Sequence, residues 1–349
     1  METLARSVTS ILAVLCMLPN ASAFAQSSVS LYGQADVFAA ATKEPSAANA
    51  WVEGGGGMST SYWGVKGFED LGGDARALFT LESFFQPQNG AAGRYPGDVF
   101  FARNAYVGIE SSYGTFTAGR QTTDMFVATI LFNPFADSFT FSPIVLQTYL
   151  GEGGQGLVGD TGWSNAVAFH SPLFNGLTGG AMYAFGNAAG DAGLHKWDAQ
   201  LLYFHGPFSA TVDYQYVNYS AVAGDIGSAL PGVPGLQSQS TVQFAATYDF
   251  KVVKLYAQYL HVQDHVEPGG FGVSTGQAGA SIPLGSGTVL ASYAYSKRSG
   301  SSGVRRRTWA VGYDLPLSKH TDVYAAYLSD SLTGQSTGNT AGIGIRVKF

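Results

Sequence analysis

The amino-acid sequence predicts an all-β fold: a sixteen-stranded antiparallel transmembrane β-barrel with a long, inward-folded third loop. Short segments alternate between apolar and polar residues, and their connections alternate between short and long. After the N-terminus, no apolar run reaches the ~20 residues that a membrane-spanning helix needs. Charged residues make up only 12% of the 349 residues, whereas soluble domains carry roughly 25%. If the chain crosses a membrane, it must do so with strands.

The first 25 residues have the pattern of a secretory signal peptide. Arg6 supplies the positive charge, a short apolar core follows, and small residues lead up to Ala25. We therefore expect export, cleavage after Ala25 and a single barrel domain at residues 26–349. The only cysteine, Cys16, lies inside this peptide, so the mature chain would have no disulfide and no cysteine metal site.

The segments after residue 28 show the period-two pattern of a sheet with one apolar face. Residues 208–216 alternate Phe, Ala, Val, Tyr and Tyr with Ser, Thr, Asp and Gln, and residues 242–250 and 309–315 repeat the pattern. Tyr and Trp occur near the segment ends, as in the aromatic girdles of a membrane barrel. We therefore expect the apolar face to contact lipid.

The connections predict the number of strands. Seven short links and eight long links rich in Gly, Ser, Pro and Asn join sixteen strands, and the first long link is expected at residues 41–59. An even-numbered antiparallel barrel has tight turns at one end and longer loops at the other, and closure leaves no free sheet edge. Sixteen strands would enclose an aqueous channel.

The longest link runs from Thr122 to Gly162. It contains six aromatic residues and four acids, which is too apolar for a solvated loop and too irregular for a strand. A loop of about 40 residues inside a compact domain calls for a functional explanation. We expect it to fold into the barrel and narrow the channel, with most of its aromatic rings packed against the inner wall.

Several motifs, in a fixed order, resemble the general trimeric porins of Gram-negative outer membranes. Residues 26–33 (QSSVSLYG) match the start of such mature chains, and the resemblance continues at 64–73 (GVKGFEDLGG), 103–108 (RNAYVG) and 114–121 (GTFTAGRQ). It extends over the whole mature chain. It implies a location in the bacterial outer membrane, a homotrimer, and a channel for passive diffusion of ions and small hydrophilic solutes.

The resemblance also implies a constriction, where carboxylates of the third loop face basic side chains of the wall and the field between them sorts solutes. Family resemblance and strand parity together predict these constriction residues: Arg76, Arg103, Lys66, Glu82, Asp124, Asp137, Tyr62 and Trp163. Tyr62 and Trp163 stand where the family often has arginine. We therefore expect a thinner basic ladder and weak ion selectivity, with Arg76 and Arg103 as the main basic contributors.

Partners follow from the same resemblance. In enteric members a second-loop carboxylate of one subunit pairs with an arginine of the next, and Asp98 and Arg120 are the candidates for this trimer contact. Phe349 ends the chain at an apolar-face position, which resembles the terminal signal read by the outer-membrane assembly machinery. Basic residues at 297–298 and 305–307 are expected at the outer rim, facing lipopolysaccharide phosphates or solvent. The net charge of −6 argues against a general nucleic-acid binder.

Two alternatives stay open. Tyr62, Trp163 and the loop phenylalanines could form an aromatic track for sugar rings, which would make this a sugar-selective channel of the same fold. An outer-membrane hydrolase is the weaker alternative, since a catalytic triad assembled across strands is not visible in a sequence. No cofactor or metal site is predicted, because His261 and His265 would be about 13 Å apart along a strand.

Overall fold

The computed structural model describes residues 28–151, 156–157, 161–186, 195–218, 236–266, 269–300 and 303–349. The predicted signal peptide lies outside these ranges. The strands and helices within them are β1 Ser28–Lys43, β2 Ala50–Gly55, β3 Tyr62–Gly72, β4 Ala75–Gln86, β5 Ala91–Ala92, β6 Asn104–Ser111, β7 Gly114–Thr122, α1 Asp124–Leu131, α2 Pro143–Thr148, β8 Gly162–His170, β9 Leu177–Ala184, β10 Lys196–His205, β11 Phe208–Asn218, β12 Leu236–Asp249, β13 Lys254–Val266, β14 Phe271–Leu284, β15 Gly287–Arg298, β16 Arg305–Pro316, β17 Thr321–Leu332 and β18 Gly338–Lys348.

The strands form one closed antiparallel sheet. Neighbours in the chain pair with each other, and β18 pairs with β1 to complete the circle. The C-terminal half of β1 pairs with β2 and its N-terminal half with β3, so β2 and β3 are two halves of one wall strand. The two-residue β5 pairs only with the end of β4. The predicted sixteen-stranded barrel is therefore confirmed.

The connections follow the predicted alternation with one exception. The seven short links leave two to six residues between strands, and the antiparallel order places them all at one end of the barrel. The long link expected at residues 41–59 is wrong, because β1 continues to Lys43 and the wall resumes at Ala50. The apolar and small residues of 50–55 form a strand, and the departure from the ladder comes later, at residues 56–61.

This break between β2 and β3 is held by a buried carboxylate of β1. Asp36 accepts hydrogen bonds from the backbone amides of Gly57, Met58 and Ser59, each 3.0 Å long. The hydroxyl of Tyr324 donates to the same carboxylate at 2.5 Å. Buried backbone amides that lose their ladder partners must find others, so Asp36 makes the break an ordered part of the wall.

The two faces of the wall differ as the alternation predicts. In β18, Ile343, Ile345 and Val347 are exposed. The alternate positions elsewhere in the wall carry buried polar side chains, among them Gln200, Gln215, Gln239, Gln243 and Gln258. An apolar outer face and a polar interior are the arrangement of a barrel in lipid. Among the residues described, no helix has both the length and the apolar character to cross a membrane.

The long segment between β7 and β8 contacts inward-facing side chains on opposite parts of the wall. Gln243 of β12 donates to the hydroxyl of Thr129 in α1 at 3.1 Å. Gln147 of α2 donates to the hydroxyl of Thr308 in β16 at 2.8 Å. Between the helices, the hydroxyl of Ser138 donates to the carbonyl of Gly57 in the wall break at 2.6 Å. The segment is thus tied to the interior at three places.

Apolar packing accompanies these hydrogen bonds. Phe132, Phe135 and Phe141 of the segment are at most 1% exposed, and Phe135 and Phe141 pack in a cluster with Phe38 of β1. Burying each such ring stabilises the fold by roughly 1.5–3 kcal/mol. The hydroxyl of Thr123 accepts a hydrogen bond from the amide of Phe126 and caps the start of α1.

Candidate channel constriction

A cavity of about 360 Å³ lies between the long segment and the wall formed by β4, β6, β7, β8 and β10. Its charged lining consists of Arg94, Arg103, Asp124, Asp137 and His170. Three of the residues predicted for the constriction, Arg103, Asp124 and Asp137, therefore line one cavity. Arg94 and His170 were not predicted, because neither a loop arginine nor a strand-end histidine carries a local signal for the interior.

Arg103 is held against the wall by Glu82 of β4, whose side chain is only 4% exposed. The carboxylate of Glu82 accepts hydrogen bonds from the guanidinium of Arg103, from the side-chain amide of Asn104 and, at 2.6 Å, from the hydroxyl of Tyr32. The guanidinium also lies 4.2 Å from the ring centroid of Tyr62. The positive charge of Arg103 is therefore compensated by a carboxylate in direct contact with it.

Asp137 lies on the long segment and faces the wall break. Its Oδ2 accepts a 2.7 Å hydrogen bond from the hydroxyl of Ser59. Burial raises the pKa of the Asp137 carboxyl, and the Ser59 hydrogen bond and the charge of Arg103 offset only part of that rise. Asp137 therefore binds a proton at a higher pH than a solvated carboxyl.

Asp124 is the first residue of α1, where a carboxylate suits the positive end of the helix dipole. Its Oδ1 lies 2.8 Å from Nε2 of His170 on β8. Gln200 of β10 donates to its backbone carbonyl at 2.8 Å. The acid that begins the helix is thus fixed to two wall strands.

Asp98 is paired within its own chain. Arg94 donates to it from Nε to Oδ2 at 2.9 Å, from Nη2 to Oδ1 at 3.1 Å and from its backbone amide to Oδ2 at 3.0 Å. Arg120 donates to the carbonyl of Ala102 at 2.6 Å and to the hydroxyl of Ser164 at 3.0 Å. The predicted contact between Asp98 and Arg120 would form between two chains of the trimer and stays a prediction. Within its own chain, Asp98 already has Arg94 as a partner.

Two of the basic residues expected at the constriction do not line this cavity. Arg76 forms an exposed ion pair with Glu110 at 3.0 Å, beside the short turns. It lies six residues before Glu82 on β4, which is ~20 Å along a strand. The exposed Lys66 places its Nζ 4.7 Å from the ring centroid of Tyr32. Strand parity assigns a side chain to a face of the sheet, but it does not set the height of that side chain in the barrel.

Trp163 and Arg306 also depart from their expected surroundings. Trp163 is 1% exposed and packs with Ala166 and Met182 in the wall, so solutes do not reach it. Arg306, expected at the outer rim, is buried and pairs with Asp330 at 2.7 Å. Its Nη1 also donates to the carbonyl of Leu146 in α2 at 3.1 Å. This arginine anchors the long segment instead of meeting external phosphates.

Five arginines in the described part of the chain share a common pattern. Each has a carboxylate partner on a neighbouring strand or in its own loop: Arg76 with Glu110, Arg94 with Asp98, Arg103 with Glu82, Arg306 with Asp330, and Arg346 with Asp322. For the cavity, the lining residues and their direct partners amount to four carboxylates against two guanidiniums and one imidazole. The local charge is −2 with a neutral imidazole and −1 with a protonated one, so the excess is negative in either state.

The raised pKa of Asp137 predicts how selectivity depends on pH. An ordinary aspartate has a pKa near 4. Because the pKa of Asp137 is higher, Asp137 loses its negative charge at a higher pH as the pH falls, and the passage should then become less favourable to cations. We expect the reversal potential in a KCl gradient to begin shifting toward the sign of anion preference while the pH is still above the usual aspartate pKa. The Asp137→Asn channel serves as the control and should lack this early component. An identical pH profile in both channels would contradict the assignment.

No group of three or more His, Cys, Asp or Glu side chains within the described part of the chain has a geometry that could hold a metal ion.

Comparisons with known proteins agree with this architecture. A profile described as Gram-negative porin matches residues 10–335. An outer membrane porin protein of Bordetella pertussis is 28% identical over 342 residues, covering 84% of this chain and 83% of the relative. Outer membrane porin protein 32 of Delftia acidovorans is 28% identical over 334 residues, covering 90% and 87%.

Solved structures share the fold. The anion-selective porin from Comamonas acidovorans has a TM-score of 0.76 at 23% identity, with 93% of this chain and 100% of that chain covered. The trimer form of OmpT from Vibrio cholerae has a TM-score of 0.68 at 14% identity, with coverage of 93% and 99%.

Proposed function

Because this chain belongs to the Gram-negative porin family and forms a water-filled diffusion channel in the bacterial outer membrane, we propose that the cavity beside the long segment is the constriction of that channel. We further propose that the channel is weakly ion-selective and prefers cations. The proposal gives the protein no catalytic role. It includes export into the periplasm with removal of residues 1–25.

The pairing of the arginines carries this proposal. Arg94 and Arg103 line the cavity but are compensated by Asp98 and Glu82, while Asp137 is hydrogen-bonded to a neutral hydroxyl. The Debye length at physiological salt is about 8 Å, so charges at the constriction act on a passing ion and more distant charges are screened. The remaining local excess is negative and small, which favours weak cation preference.

Planar-bilayer recordings of refolded protein test the proposal. We expect stable conductance steps and, in a tenfold KCl gradient, a small reversal potential of the sign for cation preference. A strong anion preference would contradict the assignment of the cavity, and no stable conductance would argue for a barrel with a purely structural role. Saturable block by an oligosaccharide would instead support the sugar-selective channel. Trp163, Phe132, Phe135 and Phe141 are at most 1% exposed, which removes these four rings from the predicted aromatic track for sugars.

We propose that the protein is a homotrimer whose early strands form the shared interface, as supported by the fold it shares with the trimer form of OmpT. Removing one member of a partly buried ion pair leaves an uncompensated charge. The Arg120→Ala protein should therefore dissociate at a lower temperature than wild type in detergent gels. A wild-type dissociation temperature would show that no latch exists, and that Arg120 only ties β7 to Ala102.

The last residue is proposed to be an assembly signal. Phe349 exchanges two 3.0 Å backbone hydrogen bonds with Gly33 and is 55% exposed, so its ring is displayed outward at the seam of the barrel. Deletion of Phe349, or Phe349→Asp, should sharply reduce the heat-modifiable protein in outer-membrane fractions. Phe349→Tyr is the matched control and should assemble. Normal assembly of the deletion variant would refute the signal. Outer-membrane lipid and lipopolysaccharide are the surroundings that this proposal implies.

A further inference from the structure

A second cavity, of about 470 Å³, lies at the long-loop end of the barrel and adjoins the constriction. Its lining includes four aromatic residues, Phe85, Tyr95, Phe139 and Tyr149. Arg94, Phe139 and two threonines line both cavities. Each cavity falls in the ~300–1,000 Å³ range of sites for small organic ligands. A solute that enters from the long-loop side therefore meets these rings and Arg94 before it meets the carboxylates that line the narrower cavity.

The rings of the long segment form a continuous strip between the two cavities. The centroid of Phe126 lies 6.0 Å from that of Phe139 and 4.8 Å from that of Tyr149. Phe126 lines the narrower cavity, Tyr149 the wider one, and Phe139 both. We call Phe126, Phe139 and Tyr149 the aromatic strip.

The charges around the aromatic strip favour a positive ligand. Asp137, two residues before Phe139, lines the narrower cavity beside it and accepts its hydrogen bond from an uncharged serine. Arg94, which lines both cavities, is bound by Asp98, and Arg103, which lines the narrower one, is bound by Glu82. Aromatic faces attract cations because of the ring quadrupole. The aromatic rings and the excess of carboxylate groups therefore both favour binding of a cation.

We propose that the aromatic strip and Asp137 form a binding site for organic cations that carry an aromatic ring. The ring of the solute lies against Phe139 and its neighbours, and the ammonium group faces Asp137. This inference rests on the proposed position of the constriction and names a class of solute for it. Binding at the mouth raises the local concentration of such solutes before they cross the narrowest part.

The test is current block in a planar bilayer with 2-phenylethylammonium added on the long-loop side. We expect saturable block of the wild-type channel. Hexylammonium, which has the charge but no ring, should block about threefold more weakly, as expected for the loss of one ring–ring contact. Phenylacetate, which has the ring but the opposite charge, should not block at all. Equal block by phenylacetate would overturn the proposal.

Two variants locate the site. Phe139→Leu keeps apolar bulk but removes a ring, and Asp137→Asn keeps size but removes the charge, so each should weaken block by 2-phenylethylammonium several-fold. Phe244→Leu, on the exposed outer face of β12, is the matched control and should behave as wild type. If both site variants are blocked like wild type, the proposal is wrong.

Measurements in the same bilayers test the aromatic-cation site and the position of the constriction separately. Open-channel conductance and the KCl reversal potential are measured in the same bilayers before the blocker is added. If Asp137→Asn shifts the reversal potential but leaves block unchanged, the constriction stands and the aromatic-cation site falls. If it shifts neither, both fall.

Discussion

Replacing Glu82 with glutamine is expected to turn the channel toward anions. The change removes the carboxylate that compensates Arg103 but retains an oxygen that can accept from Asn104 or Tyr32. The guanidinium then faces the passage with an uncompensated positive charge. Arg103→Ala should do the opposite and increase cation preference, because Glu82 is left as an unpaired carboxylate. The measurement is the reversal potential in a tenfold KCl gradient.

The same two variants should also be less stable. Breaking a buried ion pair by removing one partner typically costs 3–5 kcal/mol, since the remaining charge has lost its compensation. We expect a lower figure for Arg103→Ala, roughly 2–3 kcal/mol, because the Arg103 side chain is 31% exposed and its removal admits water to the carboxylate of Glu82. The temperature at which the folded gel band disappears reports this loss. Glu82→Gln should be affected less than Arg103→Ala, because the charge that it leaves uncompensated, the guanidinium of Arg103, is 31% exposed and solvent shares it.

The pair of Arg76 and Glu110 provides matched controls on the neighbouring part of the wall. Both side chains are more than 40% exposed, and exposed ion pairs contribute only about 0–1 kcal/mol. Arg76→Ala and Glu110→Gln should therefore leave selectivity and stability nearly unchanged. If Arg76→Ala shifts the reversal potential as much as Arg103→Ala, the field extends along the whole lumen and the cavity is not its centre.

Replacing Asp36 with alanine is expected to be the most destabilising single change. Asp36 is 0% exposed and satisfies three backbone amides of the wall break. A buried donor without a partner costs about 1–3 kcal/mol, so the free energy of unfolding should fall by at least about 3 kcal/mol. The measurement is the unfolding temperature seen by gel mobility. Channel noise should also increase, because Ser138 and Asp137 are docked on this break.

Tyr324→Phe is the control for this prediction. It removes one hydrogen bond to Asp36 but leaves the three amides satisfied. Its cost should be about 1 kcal/mol, the net worth of a typical hydrogen bond. If Asp36→Ala is no more destabilised than Tyr324→Phe, the amides of residues 57–59 find other partners and the break is not held by the carboxylate.

The architecture of this protein can be predicted from local patterns in its sequence. Alternation at period two sorts residues between the lipid face and the interior because successive side chains of a strand point to opposite faces, and the exposed row of β18 obeys it. The short links were correct because Gly, Pro, Asn and Asp mark tight turns through local backbone preferences. These signals act over a few residues, so a single sequence contains them completely.

Which side chains meet at the constriction depends on contacts between residues that are far apart in the sequence. Asp36 meets Tyr324 across 288 positions, and Gln147 meets Thr308 across 161. Parity assigns a side chain to a face, but the register of each strand pair and the path of the long segment decide its depth and its neighbours. For this reason Arg103 was predicted as a wall residue, but its ion pair with Glu82 was not predicted. Likewise, Trp163 was expected beside solute but lies buried in the wall. Charges are compensated through space, and closing a barrel brings together groups whose separation along the chain carries no local pattern.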